Sequence, residues 1–390
     1  MWNHVNTRQL ALKILGLRCH KHSRACVGLL GEKPQRSEYK HCRLCSTSAP
    51  PWRILFFGTD DFALESLKSL TATRGTNESV VASLEVVALS NNVPVKKFAD
   101  QNGLPVHIWP VVDLQGRFDV GVVVSFGCLL KERLIRQFPL GILNVHPSLL
   151  PRWRGPAPVF HTVLHGDATT GVTIMQIRPC RFDVGPILRQ ETYSVPTHCT
   201  ADQLGATLAT RGAHLLMDTL KTLPERLANK VEQNQTGATS APKISISMSW
   251  VSWEDQTCGE IDRLFRAIGS RIPLRTLWMG KTIKLLDFVG KCDISLSGTK
   301  LQFQKSHGRP PIPGSIIYLK MSNTLAVCCK DDWVGFKAVV LKKRLSAADF
   351  YNGYMHHGLT GKPSHQPEQC LFISNRTETS KGTELKETIA

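Results

Sequence analysis

The sequence predicts an α/β fold in two parts, a mostly parallel sheet covered by helices and then a smaller β-rich domain. In the first part, short apolar runs alternate with helical stretches, beginning with the run 53–57. Such alternation is typical of parallel strands joined by crossover helices. From residue 244 the pattern changes to short apolar runs separated by glycine and proline, which favours a small β-barrel. A chain of 390 residues also exceeds what one core usually supports, so two domains are expected.

Hydrophobic periodicity gives the order of elements in the first part. The predicted strands are 53–57, 84–89, 118–124, 141–146, 172–177 and 187–193. The predicted helices are 62–70, 95–101, 129–137, 157–165 and 201–220. Gly58 follows the first strand and allows a tight turn there.

The second part begins after a polar stretch. Residues 225–241 lack periodicity, which predicts a linker and gives the first domain the bounds 49–224. The later predicted elements are strands 282–288, 316–319, 325–329 and 333–340 and a helix near 260–268. We expect the second domain to span 242–364 and the polar residues 365–390 to form a disordered tail.

The net charge of +17 is unevenly distributed, with +7 in residues 1–48 and +9 in residues 242–365. Residues 242–365 carry 18 Lys and Arg against nine Asp and Glu, whereas residues 49–241 carry 18 against 16. An excess of positive charge in one domain favours RNA as a partner, through phosphate contacts that give affinity rather than sequence selectivity. The alternative is a lysine-rich surface that only keeps the protein soluble.

The first 48 residues have the composition of a mitochondrial transit peptide. No acidic residue occurs before Glu32, and basic residues are interspersed with leucines from Arg8 to Arg24. A secretory signal would need one continuous apolar block. We therefore expect residues 1–48 to direct the protein to the mitochondrial matrix; the alternative is a basic tail on a cytosolic protein. Elsewhere, no stretch approaches the ~18 apolar residues that cross a membrane, so an integral membrane protein is not expected.

A polar pair closes the predicted strand 141–146. Asn144 and His146 are two residues apart, so both side chains project from the same face of a strand. Three prolines and a glycine between Pro147 and Pro156 prevent the strand from continuing. The pair is therefore predicted to lie at the rim of the sheet, where open α/β folds bind their ligands.

The segment around this pair resembles a family signature. Residues 144–158 read Asn-Val-His-Pro-Ser-Leu-Leu-Pro-Arg-Trp-Arg-Gly-Pro-Ala-Pro, which is similar to the signature of the formyltransferases that use 10-formyltetrahydrofolate. Residues 171–188 resemble a later strand of that family and the loop that carries its aspartate, here Asp183. The resemblance implies three catalytic side chains, Asn144, His146 and Asp183.

The likeness extends over most of the chain. Residues 53–62 resemble the family's first strand and turn, although Asp60 stands where proline is usual, and the whole resemblance covers about residues 52–361. After Pro151 it is greatest to the members that act on methionyl-tRNA. It implies a Rossmann-like catalytic domain, an OB-like tRNA-binding domain, 10-formyltetrahydrofolate as co-substrate and methionyl-tRNA as partner, and we expect a monomer.

The resemblance also implies a role for each motif residue. Asn144 and a protonated His146 would donate hydrogen bonds to the oxyanion of a tetrahedral intermediate, and Asp183 would favour the charged histidine or accept the amine proton. The residues implied in folate binding are Phe126, Gly127, Leu129, Ser148, Leu149, Leu150 and Pro151. For tRNA binding, we expect Arg152, Trp153 and Arg154 to face the acceptor end, where they would offer charge to phosphates and a stacking surface to a base. The charge excess of the second domain adds the basic cluster Lys342, Lys343 and Arg344.

Two other functions share these residues. A related enzyme would use the same three side chains on another acceptor, such as an amino-sugar nucleotide or water. A catalytically idle RNA-binding protein on this scaffold is disfavoured, because an idle site has no need of Asn144, His146 and Asp183 together.

Metal binding is not expected. His161 and His165 are spaced to bind zinc from one helix face, but no glutamate occupies the metalloprotease position between them, so we interpret them as packing or surface residues. The 12 cysteines are irregularly spaced, which indicates reduced thiols rather than a disulfide framework.

Overall fold

The computed structural model describes most of the two predicted domains. The described residues are 49–75, 79–89, 92–110, 114, 116–294, 310–355 and 371–375. The predicted transit segment 1–48 lies outside them, as do residues 365–370 and 376–390 of the predicted tail. Among the described residues, no helix is both long and apolar enough to cross a bilayer.

The first domain is built on a seven-stranded sheet. Its strands are β1 (Trp52–Gly58), β2 (Val81–Ala88), β3 (Val106–Ile108), β4 (Val120–Val124), β5 (Ile142–His146), β6 (Thr169–Gln176) and β7 (Ile187–Ser194). They lie in the order β3-β2-β1-β4-β5-β6-β7, with parallel pairing from β3 to β5 and antiparallel pairing at β6 and β7. The prediction of a mostly parallel sheet is confirmed. Every residue of the central strand β4 is buried, as expected when helices cover both faces.

Six helices belong to this domain within the described residues. They are α1 (Asp61–Ala72), α2 (Pro94–Gln101), α3 (Glu132–Ile135), α4 (Pro158–His165), α5 (Ala201–Lys221) and α6 (Leu223–Ala228). α1 begins at Asp60, whose carboxylate accepts a hydrogen bond from the Ala63 N–H at 3.1 Å. The predicted helix 129–137 is shorter in the structure, where α3 spans only Glu132–Ile135 and follows a loop that includes Gly127, with φ of +74°.

The second domain is a β-rich module. Its strands are β8 (Leu274–Trp278), β9 (Lys281–Lys291), β10 (Ile316–Leu319), β11 (Thr324–Cys328), β12 (Trp333–Val340), β13 (Arg344–Ser346) and β14 (Phe372–Ile373). Within the described residues its α-helices are α7 (Cys258–Ile268) and α8 (Ala347–Phe350), and short helical turns lie at Ile246–Ser249 and Tyr351–Met355. The strands form one antiparallel sheet in the order β10-β11-β12-β9-β8-β14, with β13 paired to β12. A short-stranded β domain with a helix at the predicted place is therefore confirmed.

The strand β14 corrects one expectation. Residues 371–375 fall in the segment predicted to be disordered, but Phe372 is buried and pairs with Trp278 across the β14–β8 ladder. Its ring stacks against that of Trp253 at a centroid separation of 6.2 Å. One apolar side chain in a polar segment gives no periodicity, so the sequence pattern could not show this contact.

The two domains share one hydrophobic core. A single cluster of buried side chains runs from Trp52 and Leu220 in the first domain to Trp253 and Phe372 in the second. α7 packs on α4 and α5, which continue this cluster across the boundary. Cutting the chain between the domains would therefore expose apolar surface, so their functions are better separated by point substitutions.

A buried ion pair joins β1 to β4. Asp119 Oδ1 lies 2.7 Å from Arg53 Nη2, and its Oδ2 accepts the Arg53 backbone N–H at 2.8 Å. The Asp119 side chain is 3% exposed. Burial alone would raise the pKa of this carboxyl, but the hydrogen bonds from Arg53 outweigh it and hold the pKa below its ordinary value.

We expect Asp119→Asn to lower the free energy of unfolding by about 1–3 kcal/mol near pH 7, because Arg53 loses its charged partner. A carboxyl with a depressed folded pKa stabilises the fold above its unfolded pKa of about 4 and loses that contribution as the pH falls through the folded pKa. Urea unfolding from about pH 7 to about pH 3 measures this. The difference in the free energy of unfolding between wild type and variant should become smaller only below about pH 4. A difference that stays constant over this pH range would contradict the lowered pKa of Asp119.

Candidate active site

A cavity of about 400 Å³ opens at the ends of β4 and β5. Asn144 and His146 reach it from β5, because their two-residue spacing places both side chains on one face of the strand. Asp183 reaches it from the loop between β6 and β7. The structure therefore brings together the three side chains that the sequence predicted, at the carboxyl edge where open α/β sheets bind ligands.

The Asp183 carboxylate is the centre of the polar cluster. Its Oδ1 accepts a hydrogen bond from Asn144 Nδ2 at 3.1 Å and lies 3.6 Å from His146 Nδ1. Its Oδ2 accepts the Gly155 backbone N–H at 2.9 Å. The carboxylate is thus fixed from both sides within reach of the other two side chains.

The neighbours of His146 determine which of its ring nitrogens donates a hydrogen bond. Its Nε2 lies 2.9 Å from the Trp153 carbonyl oxygen, which can only accept, so Nε2 must carry a proton. Nδ1 then faces the carboxylate of Asp183, which is also an acceptor when ionised. A proton on Nδ1 would be directed at this carboxylate, at a separation of 3.6 Å that is typical of an ion pair rather than of a hydrogen bond. This geometry suits a histidine that stabilises negative charge.

The walls of the cavity are mostly apolar. Among the residues implied in folate binding, Phe126, Gly127 and Leu129 line it. At its mouth, Phe182 is 57% exposed beside Asp183. An apolar pocket with a few convergent polar groups is typical of a small-molecule site.

The four other residues predicted to bind folate lie outside the cavity lining. Ser148, Leu149, Leu150 and Pro151 do not line the cavity. The Ser148 hydroxyl is buried and donates to the Arg152 carbonyl oxygen at 2.7 Å. Leu150 is buried, and its N–H donates to Thr173 Oγ1 at 3.2 Å. These residues build the turn behind the cavity, and contact with folate stays a prediction for them.

The prediction that Trp153 offers a stacking surface to a base is wrong. Its side chain is buried, with the whole residue 5% exposed, and its ring centroid lies 4.6 Å from that of His165. Its Nε1 donates to Asp167 Oδ2 at 2.7 Å. Arg152 forms an ion pair with the same carboxylate at 2.6 Å and lies over the indole ring. Asp167 lies 14 residues after Trp153 in the chain. Nothing in the sequence pattern indicates that it holds this turn.

His161 and His165 are packing residues, as predicted. Both rings lie against Trp153, and His161 Nε2 donates to the Pro242 carbonyl oxygen at 2.9 Å. Burial lowers the pKa of His161, which favours the neutral ring.

A polar segment missed by the sequence reasoning completes the site. Thr239 Oγ1 accepts the Trp153 N–H at 2.9 Å. Gln233 hydrogen-bonds to the Asp183 loop and to Arg154. Both residues lie in 225–241, which the sequence predicted to be only a linker. Polar aperiodic residues carry no periodic signal, so this role could not be anticipated.

A second cluster of titratable groups lies outside the cavity. The Sγ atoms of Cys258 and Cys329 are 3.4 Å apart, and Asp331 Oδ1 accepts the Cys258 N–H at 2.8 Å at the start of α7. Burial is the largest cause that raises the pKa of both thiols. All seven described cysteines are free thiols. Asp331 therefore caps the start of α7 by accepting the Cys258 N–H.

Comparison with known proteins identifies the family. The family models described as "Formyl transferase" and "Formyl transferase, C-terminal domain" match residues 112–220 and 243–355. The mitochondrial methionyl-tRNA formyltransferase of Homo sapiens is 55% identical over 346 residues, which cover 87% of this chain and 87% of that protein. The chain belongs to the formyl transferase family.

The chain is also similar to more distant members of the formyl transferase family. The methionyl-tRNA formyltransferase of Magnetococcus marinus is 32% identical over 317 residues, which cover 78% of this chain and 96% of that protein. The solved structure of WlaRD, a sugar 3N-formyl transferase, has a TM-score of 0.50 at 16% identity and covers 75% of this chain and 97% of that chain. At this identity the structural likeness shows the fold alone.

Proposed function

We propose that the protein transfers the formyl group of 10-formyltetrahydrofolate to the α-amino group of methionyl initiator tRNA in the mitochondrial matrix. The observation that carries this proposal is the convergence of Asn144, His146 and Asp183 on one cavity. It is supported by 55% identity to a protein named mitochondrial methionyl-tRNA formyltransferase. The basic composition of residues 1–48 supports the location.

The cavity provides the folate site in this proposal. The apolar walls at Phe126 and Leu129 would cover the planar ring system, which would place the formyl group near Asn144 and His146. The exposed Phe182 at the mouth would contact the incoming aminoacyl group. Closing the mouth with apolar groups would exclude water and so favour the amine over hydrolysis.

The chemistry follows from the positions of the polar atoms. The α-amine attacks the formyl carbon, and negative charge develops on its oxygen. The second hydrogen of Asn144 Nδ2 and the Nδ1–H of His146 would stabilise that oxyanion. The Asp183 carboxylate would take the proton of the attacking amine. As the carbonyl re-forms, the bond from the formyl carbon to the folate nitrogen breaks, and that nitrogen would receive the proton that Asp183 took from the amine, which gives N-formylmethionyl-tRNA and tetrahydrofolate.

The tRNA surface is proposed to include Lys342 and Lys343. Both side chains are exposed between β12 and β13, and within the described ranges neither forms an ion pair. Arg344, the third predicted residue, pairs with Asp287 and has less charge to offer. In the first domain, Asp167 holds Arg152, and the side chains of Gln233 and Gln235 hold Arg154. These two arginines would therefore contact the tRNA only in the orientations that these bonds fix.

We expect the double variant Lys342→Glu, Lys343→Glu to bind methionyl-tRNA more weakly and with a shallower dependence on salt. Each lost phosphate contact should reduce the slope of log K against log salt by about 0.7–0.9. The matched control is Lys68→Glu, Lys221→Glu, which makes the same change of net charge on the first domain. Filter binding at several salt concentrations measures the slope. An equal slope for both double variants would remove Lys342 and Lys343 from the interface.

The function is tested by offering different acceptors to the full-length protein with 10-formyltetrahydrofolate. Methionyl initiator tRNA should be formylated far faster than an amino-sugar nucleotide, and formate release in the absence of acceptor should be slow. A faster reaction with the sugar nucleotide, or rapid formate release, would replace the proposal with one of the alternative activities of the family.

A further inference from the structure

We propose that Gln233 is a positioning residue that holds the catalytic loop in its active arrangement. The Gln233 Nε2 donates to the carbonyl oxygens of Asp183 at 2.9 Å and Gly185 at 2.8 Å. Its Oε1 accepts from Arg154 Nε at 3.1 Å and Nη2 at 2.8 Å. Both hydrogens and both lone pairs of the amide are therefore used, in a residue that is 9% exposed.

The loop needs external support at this point. Residues 177–186 contain neither helix nor strand, and Asp183 adopts a left-handed φ of +54°, which is unfavourable for a residue with a side chain. Gly185 also passes close to β6, because an added Cβ would lie 1.7 Å from the Gln176 carbonyl oxygen. The bonds from Gln233 fix the peptide groups on both sides of this constrained stretch.

The same amide joins two loops of the site. On one side it holds the loop of Asp183, and on the other it holds Arg154, next to Gly155, whose N–H donates to Asp183 Oδ2 at 2.9 Å. Gln233 itself is fixed because Val231 exchanges two backbone hydrogen bonds with Ile187, at 2.7 and 2.9 Å. The distance from the Asp183 carboxylate to Asn144 and His146 is therefore set in part from the segment between the domains.

This inference rests on the proposed function, since it assigns Gln233 a role in formyl transfer. It goes beyond the three catalytic side chains because Gln233 touches none of the reacting atoms. A glutamine that only stabilised the fold would affect unfolding, whereas a positioning residue affects turnover through Asp183.

The test compares Gln233→Glu with Gln235→Glu in the full-length protein. Gln233→Glu keeps the acceptor for Arg154 but replaces two N–H donors with an oxygen that faces two carbonyl groups. Gln235→Glu makes the same change two residues away, where the side chain accepts from Arg154 Nη1 at 2.9 Å and, among the described residues, forms no hydrogen bond with the loop. Gln233→Met removes the hydrogen bonds without adding charge.

We expect both Gln233 variants to lower kcat by about 10- to 100-fold, because a misplacement of about 1 Å can cost that much. KM values should stay close to those of Gln235→Glu. The thermal midpoint of the Gln233 variants should fall, because buried hydrogen bonds are lost, but the loss of kcat should persist at temperatures well below each variant's midpoint, where all the proteins are folded.

A double-mutant cycle decides whether the effect passes through Asp183. Adding Gln233→Met to Asp183→Asn should slow the enzyme by less than about twofold, because the group that Gln233 positions is already lost. Full multiplication of the two effects, or a Gln233→Met kcat equal to that of Gln235→Glu, would overturn the inference. If instead the wild type does not formylate methionyl-tRNA, the proposed function fails first, so the two failures are distinguishable.

Discussion

His146→Ala and Asp183→Asn are each expected to lower kcat by about a hundred- to a thousandfold while leaving KM for both substrates nearly unchanged. The reason is that both groups act on charge that is present only in the transition state. In the proposed mechanism His146 offers Nδ1 to the oxyanion, because its Nε2 is held by the Trp153 carbonyl oxygen at 2.9 Å. Asp183 is proposed to take up the amine proton, which the amide of an asparagine cannot do.

Single-turnover formylation measures this effect, because it separates the chemical step from product release. His214→Ala is the matched control, since His214 is exposed on α5 and away from the cavity. Near-wild-type single-turnover rates for either active-site variant would show that the mechanism is assigned to the wrong groups.

Trp153→Ala is expected to lower the free energy of unfolding by about 3–5 kcal/mol, which is typical for truncation of a buried aromatic side chain. The indole is packed against His161 and His165 and hydrogen-bonded to Asp167. Its loss would also release the turn whose carbonyl oxygen holds His146, so kcat should fall with it.

Trp153→Phe separates packing from direct contact with tRNA. This variant keeps most of the apolar volume but loses the hydrogen bond to Asp167, so it should cost about 1–3 kcal/mol and leave tRNA affinity unchanged. Denaturant unfolding and filter binding measure the two quantities. Weakened tRNA binding by a Trp153→Phe protein of normal stability would restore the stacking role that the burial of the ring excludes.

The sequence predicted the parts of the site that follow from local periodicity or from a continuous motif. Asn144 and His146 share a face because strands alternate with period two, and this requires no knowledge of the rest of the fold. Asp183 was found only by resemblance, because its loop brings it across 39 residues to Asn144. The pairing of Phe372 with Trp278 and the hydrogen bonds of Gln233 depend on contacts between distant segments, for which neither composition nor spacing gives a signal.

The stacking role predicted for Trp153 also failed because of a contact with a distant residue. The run Arg-Trp-Arg suggests charge and an aromatic surface for nucleic acid when it is read alone. In the folded chain, Asp167 at the end of α4 binds both Arg152 and Trp153 and draws the ring into the core. Burial of the carboxyl would raise its pKa, but these two partners hold the pKa of Asp167 below its ordinary value, which keeps it charged at neutral pH.

The transfer of an isotopically labelled formyl group tests the central claim most directly. The full-length protein is given 10-formyltetrahydrofolate labelled in the formyl carbon together with methionyl initiator tRNA, and the amino acid is released by mild base for mass spectrometry. We predict that the label appears on methionine as N-formylmethionine, at a rate that falls in the His146→Ala and Asp183→Asn variants. Label found only in free formate, or methionine that stays unformylated, would contradict the assignment of this site to formyl transfer onto methionyl-tRNA.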